Sequence, residues 1–397
     1  MMFLIRQPLF LLLLLTQQLA AAVAFSIQQE RWDYKGHPIG YDQAGSVESS
    51  STPIVLLNGF GVGSFHQHRL MEQLCTTTTS QRSIYGMDYL GQGRSWPRDC
   101  NDGFGTSEQD LQYSGDLWVD QAIQFIEQVV LPNQNNKQNK KKKPVQKVHL
   151  VGNSVGGHLA VFLACLRPDL VESVTLLNAT PVWGLNLPGW SGSLPAPTVP
   201  RIIGRYMFDR MRDFGTIRRF LENSYFSEQA YDDELVRQIR ECTEGNGGHA
   251  AFASIMWSPP VRAVKDEADS SSAKGFYDCL AALECDVLVV FGKDDPWCKP
   301  AFAKKMLQAL DTRQPDKVHR YVELSNVGHC PNHEAPQAVS QLLQLWVNAA
   351  DNRRSLQLVN GPTETFTEQW GDITVQELGT DSIPMGLMDR VATAFVG

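Results

Sequence analysis

The stretch Val148-His149-Leu150-Val151-Gly152-Asn153-Ser154-Val155-Gly156-Gly157 joins a short apolar run to a small-residue segment through Gly-x-Ser-x-Gly. The apolar run has the length of a buried strand, and the residues from Gly156 to Cys165 begin a helix. In that setting the serine occupies a sharp, strained strand-to-helix turn that lifts its hydroxyl clear of the backbone. Gly152 and Gly156 leave room for strand and helix to pack closely. Ser154 is therefore the candidate nucleophile; the bland reading is a strand–turn–helix junction without chemistry.

Similar punctuation continues on both sides. Arg31–Gln43 alternates around a Lys35-Gly36 turn, and Pro53–Leu57, Ser83–Met87, Ser173–Leu177, Asp286–Gly292 and Arg320–Leu324 read as further strands. Leu117–Val130 and Ala335–Ala350 carry helical periodicity. Strands alternating with helices predict an α/β fold: a mostly parallel sheet with helices on both faces. Ligands of such sheets lie beyond the carboxyl ends of the strands. Residues 181–280 break the alternation and are rich in Trp, Pro, Phe and Arg, which predicts an inserted helical lid between core segments 25–180 and 281–350. Residues 351–397 hold few aliphatic clusters before Ile383–Val396 and read as a loosely attached tail with a short amphipathic helix.

The 397-residue chain has a net charge of -8, which gives no global reason to expect nucleic acid as a partner. Arg6, the apolar run Leu9–Leu15 and the small residues 20–24 form a signal-peptide pattern over residues 1–24. The run is short for a membrane span, and an uncleaved anchor is the alternative. Phe25 directly after the cut resembles a two-part plastid address, with secretion as the competing destination. Eight cysteines after such a leader are compatible with disulfides, and Cys298 and Cys330 could lie close together. No Cys/His spacing suits zinc. The basic run 133–143 reads first as a solvated inserted loop and second as a peripheral contact with an anionic membrane surface.

A serine hydroxyl needs a general base. His329, in Gly328-His329-Cys330-Pro331 after a strand near the end of the fold, suits the chain order Ser…Asp…His; His333 is its nearest rival. The base needs a carboxylate to fix its tautomer, and Asp294 and Asp295 both follow strand Asp286–Gly292. The oxyanion requires preorganised N–H donors. Val155, after the nucleophile, supplies one, and Phe60, in the loop Asn58-Gly59-Phe60-Gly61-Val62-Gly63, supplies the other. No Gly-Lys-Ser/Thr follows that loop, so it is not a phosphate loop. Asp88, in Asp88-Tyr89-Leu90-Gly91-Gln92-Gly93, reads as the holder of a turn. No metal or organic cofactor is called for.

At these residues the chain resembles the pheophytinases, α/β-hydrolases that remove phytol from chlorophyll pigments. The resemblance rests on Gly59-Phe60-Gly61-Val62-Gly63-Ser64-Phe65-His66, Val151-Gly152-Asn153-Ser154, Leu176-Leu177-Asn178-Ala179-Thr180-Pro181 with Trp183-Gly184, Phe252-Ala253-Ser254-Ile255-Met256, Asp295-Pro296-Trp297 and Gly328-His329-Cys330-Pro331. Val155 and Asn58 depart from the residues usual there, and the basic insertion and long tail are extra. The resemblance implies an α/β-hydrolase fold, selects Asp295 over Asp294, and implies cleavage of a tetrapyrrole phytyl ester with Trp183, Met256 and Trp257 at the substrate. A phytyl chain needs a long apolar slot, for which the lid also offers Leu185, Leu187, Trp190, Phe208 and Phe214, but each of these side chains is more simply read as the lid's own core. Two rival functions share the scaffold: a general lipase or carboxylesterase with the same catalytic residues, and a non-catalytic binding protein.

Overall fold

The computed structural model describes residues 26–46, 51–76, 82–97, 113–136, 144–183, 192–194, 198–245, 249, 251, 256–263, 273–354 and 356–383. The expected leader (1–24), Cys100 and most of the expected tail helix lie outside the described residues.

Ten strands form one sheet: β1 (Gln28–Tyr34), β2 (His37–Gly45), β3 (Ile54–Leu57), β4 (Ser83–Met87), β5 (Val148–Asn153), β6 (Val171–Leu177), β7 (Asp286–Gly292), β8 (His319–Ser325), β9 (Glu364–Glu368) and β10 (Gly371–Leu378). Their order is β1-β2-β4-β3-β5-β6-β7-β8-β10-β9. The run from β4 to β8 is parallel, and an antiparallel pair flanks it at each edge. The central strands are short Val/Ile/Leu runs, as strands buried on both faces must be.

Helices α1 (His68–Thr76) and α9 (Pro336–Asn352) cover one face, packing Leu70, Leu342 and Trp346 against Leu56, Val151 and Val290. Helices α2 (Gly115–Phe125), α3 (Val155–Leu166), α7 (Phe276–Ala281) and α8 (Pro300–Leu310) cover the other with Trp118, Phe162, Phe276 and Met306. Between β6 and α7 lie α4 (Thr198–Met211), α5 (Phe214–Ser224) and α6 (Asp233–Glu241). Helices α5 and α6 bury their own small core of Ile217, Leu221, Leu235 and Val236. Helices α4 to α6 thus occupy described parts of the expected lid, but its expected last segment, α7, packs in the main core through Phe276, stacked on His158.

The C-terminal segment differs from the expected loose tail. β9 and β10 form a hairpin, and β10 pairs with β8 from Thr374↔Ser325 to Leu378↔Tyr321. Ile373 and Val375 are buried, Trp370 Nε1 donates to the Glu334 carbonyl at 2.6 Å, and Arg69 lies over the Trp370 ring. An edge strand with one buried face needs only alternate apolar residues, which a search for aliphatic clusters passes over. The basic insertion also differs from a solvated loop at its start: Gln134 is buried and accepts from Ser83 Oγ at 2.7 Å, and Asn135 bonds both ways to Val145. Residues 137–143 lie outside the described set.

All seven described cysteines are free, Cys298 and Cys330 included. Burial pushes both of those thiols up, so neither is a ready thiolate.

Candidate active site

Ser154 sits between β5 and α3 at φ 53° and ψ −118°, in a region L residues rarely occupy. The turn is held by Ser154 N–H donating to the Leu177 carbonyl at 3.0 Å and by the Thr180 amide donating to the Ser154 carbonyl at 3.2 Å. The flanking glycines are required by close approach. A Cβ on Gly152 would come within 2.4 Å of the Gly156 backbone, and one on Gly156 within 2.1 Å of the Leu57 carbonyl oxygen.

His329 and Asp295 meet as a buried pair, Nδ1 to Oδ2, at 2.7 Å. The four acceptor positions of the carboxylate are filled. Oδ2 also accepts from Asn178 Nδ2 at 2.7 Å, and Oδ1 accepts from the amides of Trp297 at 2.7 Å and Cys298 at 3.0 Å. Burial pushes the Asp295 carboxyl up, but the hydrogen bond and charge of His329, with the two amides, outweigh it and hold the group below its ordinary value. Cys298 lies close enough to complete a three-residue cluster with Asp295 and His329. With the carboxylate saturated and the thiol protonated, that cluster does not fit a metal ion.

His329 is fixed from three sides. Its amide donates to the Ser224 carbonyl at 2.7 Å, its carbonyl accepts from Asn153 Nδ2 at 3.0 Å, and Trp297 packs edge-on against its ring. The Asn153 contact ties the base to the residue before the nucleophile. The turn that carries His329 is held by buried Glu334, whose carboxylate accepts from the amides of Gly328 (2.8 Å), Phe226 (2.7 Å) and Ser227 (3.0 Å).

The competing residues are occupied elsewhere. Asp294 is exposed and accepts from the Asn326 amide at 2.9 Å. His333 is buried, stacked on His66 and bonded to the Tyr225 hydroxyl at 3.0 Å. Burial, with His66 and Arg69 beside it, holds its imidazole well below the ordinary value. Asp88 accepts from the Ser64 amide (2.6 Å) and from Arg94 N (2.9 Å), the turn-holding contacts expected of it.

Ser154 and His329 open onto one cavity of about 360 Å³, in the range of small-molecule sites. Gly59, Phe60 and Gly61 form one wall beside Ser154, and Phe208, Met211, Ile217, Phe220 and Leu221 of the lid form the opposite, apolar wall. The Gly-rich loop is shaped by buried Asn58, which donates to the carbonyls of Gly59 (3.0 Å) and Val62 (2.9 Å). Gln92 Oε1 accepts from the Gly61 amide at 2.9 Å, while its buried Nε2, beside the cavity, has no partner among the described residues. Phe60 lines the cavity together with Ser154, and Val155 follows Ser154 as the first residue of α3.

Of the expected substrate contacts, Phe208 lines the cavity, whereas Trp183, Met256 and Trp257 do not. Trp183 is buried in the main core, edge-on to Trp118 and donating to Ser258 Oγ at 2.6 Å. Met256 and Trp257 are half-buried, Trp257 packing against that same core. A Trp after a strand-end turn is drawn inward by its own apolar area, and here it joins the main core rather than the lid's own. Leu185, Leu187 and Trp190 lie outside the described residues. Sequence reasoning missed the role of Asn178 and the support given by Trp297, Glu334 and Gln92. For Asn178 and Trp297 the signal was present in the stretches resembling the pheophytinases.

The alpha/beta hydrolase fold family matches residues 52–336, which include every residue of this arrangement. The chain belongs to that family. It is 29% identical to "Pheophytinase, chloroplastic" of Arabidopsis thaliana over 344 residues, 78% of this chain, and spans 64% of that protein's length. It is 28% identical to the 2-hydroxymuconate semialdehyde hydrolase of Pseudomonas sp. (strain CF600) over 49% of this chain and 57% of that one. Among solved structures, a thermophilic esterase from Thermogutta terrifontis superposes with a TM-score of 0.54 at 17% identity, covering 81% of this chain and 99% of that one. This alpha/beta hydrolase is therefore similar in fold to enzymes of differing substrates.

Proposed function

We propose that the protein is a serine ester hydrolase in which Ser154 attacks the ester carbonyl. The observation that carries this is the strained Ser154 turn opening onto the same cavity as His329, with His329 locked to Asp295. His329 Nε2 takes the serine proton as the acyl bond forms, while Asp295 holds Nδ1–H and stabilises the imidazolium. The amides of Phe60 and Val155 receive the oxyanion. The tetrahedral adduct collapses, His329 protonates the leaving alcohol oxygen, and water activated by His329 then releases the acid. No step requires a metal or organic cofactor.

The substrate we propose is the phytyl ester of pheophytin or chlorophyll. Support comes from the similarity to pheophytinase over 78% of this chain and from the apolar lid wall, which suits a branched hydrocarbon chain. The same reading sends the chain through its leader to the plastid, with secretion as the alternative. Purified protein offered pheophytin, chlorophyll and a long-chain p-nitrophenyl ester tests this directly. Release of pheophorbide or chlorophyllide that disappears in Ser154→Ala supports pigment dephytylation. Activity on the p-nitrophenyl ester alone leaves a general lipase or carboxylesterase. No Ser154-dependent activity at all favours a binding protein.

A further inference from the structure

Helix α4 is apolar on two faces. Phe208 and Met211 turn inward to line the cavity, whereas Val199, Ile202, Ile203, Tyr206 and Met207, at three- and four-residue spacing, turn outward and are exposed. Ile202 and Val199 each keep 66% of their surface in solvent. Four more exposed large apolar side chains stand on the lid or by the catalytic pair: Phe214, Phe220, Phe226 and Trp297. Phe220 and Trp297 line the cavity itself, so its rim is apolar too. Among the described residues, Val318 and Leu345 are the other exposed large hydrophobics, so nine of the eleven lie on the lid or by the catalytic pair. Soluble proteins rarely leave a contiguous patch of this kind uncovered without a use for it.

Charge indicates the partner. Residues 198–224 contain six arginines against three acidic residues, although the whole chain carries -8. Arg210 lies over the Tyr206 ring on the outward face, placing a cation within the apolar surface. A helix lying in a bilayer interface buries an apolar face among acyl chains and sets cations at anionic headgroups. We propose that the outward face of α4 and the adjoining cavity rim dock onto an anionic lipid bilayer. Docking itself needs no catalysis; the consequence, that a lipophilic ester passes from the bilayer into the cavity, rests on the ester-hydrolase reading.

The test uses the chain from Phe25, which carries every strand and helix described and lacks the apolar leader. Flotation with phosphatidylcholine vesicles containing phosphatidylglycerol is compared for the native sequence and Ile202→Glu/Ile203→Glu. Far-UV circular dichroism checks folding, and p-nitrophenyl acetate hydrolysis checks the site. The expected result is binding by the native sequence, weaker on pure phosphatidylcholine, and at least tenfold weaker in the double variant with its fold and soluble-ester hydrolysis unchanged. If the double variant misfolds, Tyr206→Ser is read by the same criterion. Failure of the native sequence to bind, or equal binding by the folded variant, overturns the proposal. So does a dimer that the substitutions dissociate without any vesicle binding, which would assign the face to a second copy of the chain. Binding without ester hydrolysis would keep the docking surface and remove the catalytic reading.

Discussion

Ser154 holds a backbone conformation that costs about 1–3 kcal/mol for a residue with a Cβ, sustained by the Leu177 and Thr180 contacts. Ser154→Ala and Ser154→Gly both remove the nucleophile and should lower turnover by at least about 10³-fold. Only glycine relieves the strain, so Ser154→Gly should unfold at higher denaturant than Ser154→Ala, by about 1 kcal/mol. Equal stability of the two would mean the turn stores no strain. At the acid, Asp295→Asn should cost about 10⁴-fold in kcat through the wrong imidazole tautomer, with Asp294→Asn within a few-fold of the native enzyme. Ser154 was readable as the candidate nucleophile because Gly-x-Ser-x-Gly, its strand and its helix are contiguous. Asn178 was not readable from the residues alone. Its side chain also accepts from the Gly292 amide at 2.7 Å, joining β6 to the end of β7 across more than a hundred residues of chain.

At the scale of elements, the central strands were legible because each is a short apolar run between turns, and Asp286–Gly292 matches its expected bounds. The edge hairpin was not, since its buried face is only every second residue. That difference has a measurable side. Val375 is fully buried, so Val375→Ala should cost about 1–2 kcal/mol in denaturant unfolding, whereas a loose tail would lose nothing. The turn between β8 and α9 carries a pH dependence. Burial first, then Asp294, pushes Glu334 up to about 7 from an ordinary 4.5, against the lowering effect of its three amide donors. The unfolded chain releases this proton at lower pH than the folded one. Stability from this group is therefore greatest below pH 4.5 and falls as pH rises toward 7, on the order of 2–3 kcal/mol. Thermal melts across that range should show the decline, and Glu334→Gln should remove its slope while loosening the His329 turn.

For the whole molecule, the sheet presents Ser154, Asp295 and His329 at the carboxyl ends of parallel strands, and the lid supplies an apolar roof. The candidate triad sits in the core, whereas the apolar cavity lining comes largely from lid side chains whose placement depends on tertiary packing. That is why the sequence could nominate Ser154, Asp295 and His329, which the fold brings together, while Trp183 was misplaced. The central claim, that Ser154 is an activated nucleophile in a lipophilic site, is tested most directly by covalent labelling. A long-chain alkyl phosphonate should modify the protein one-to-one, with peptide mass spectrometry placing the adduct on Ser154. Asp295→Asn should label far more slowly and Ser154→Ala not at all. A folded protein that resists the reagent, or carries it on another residue, would contradict the account.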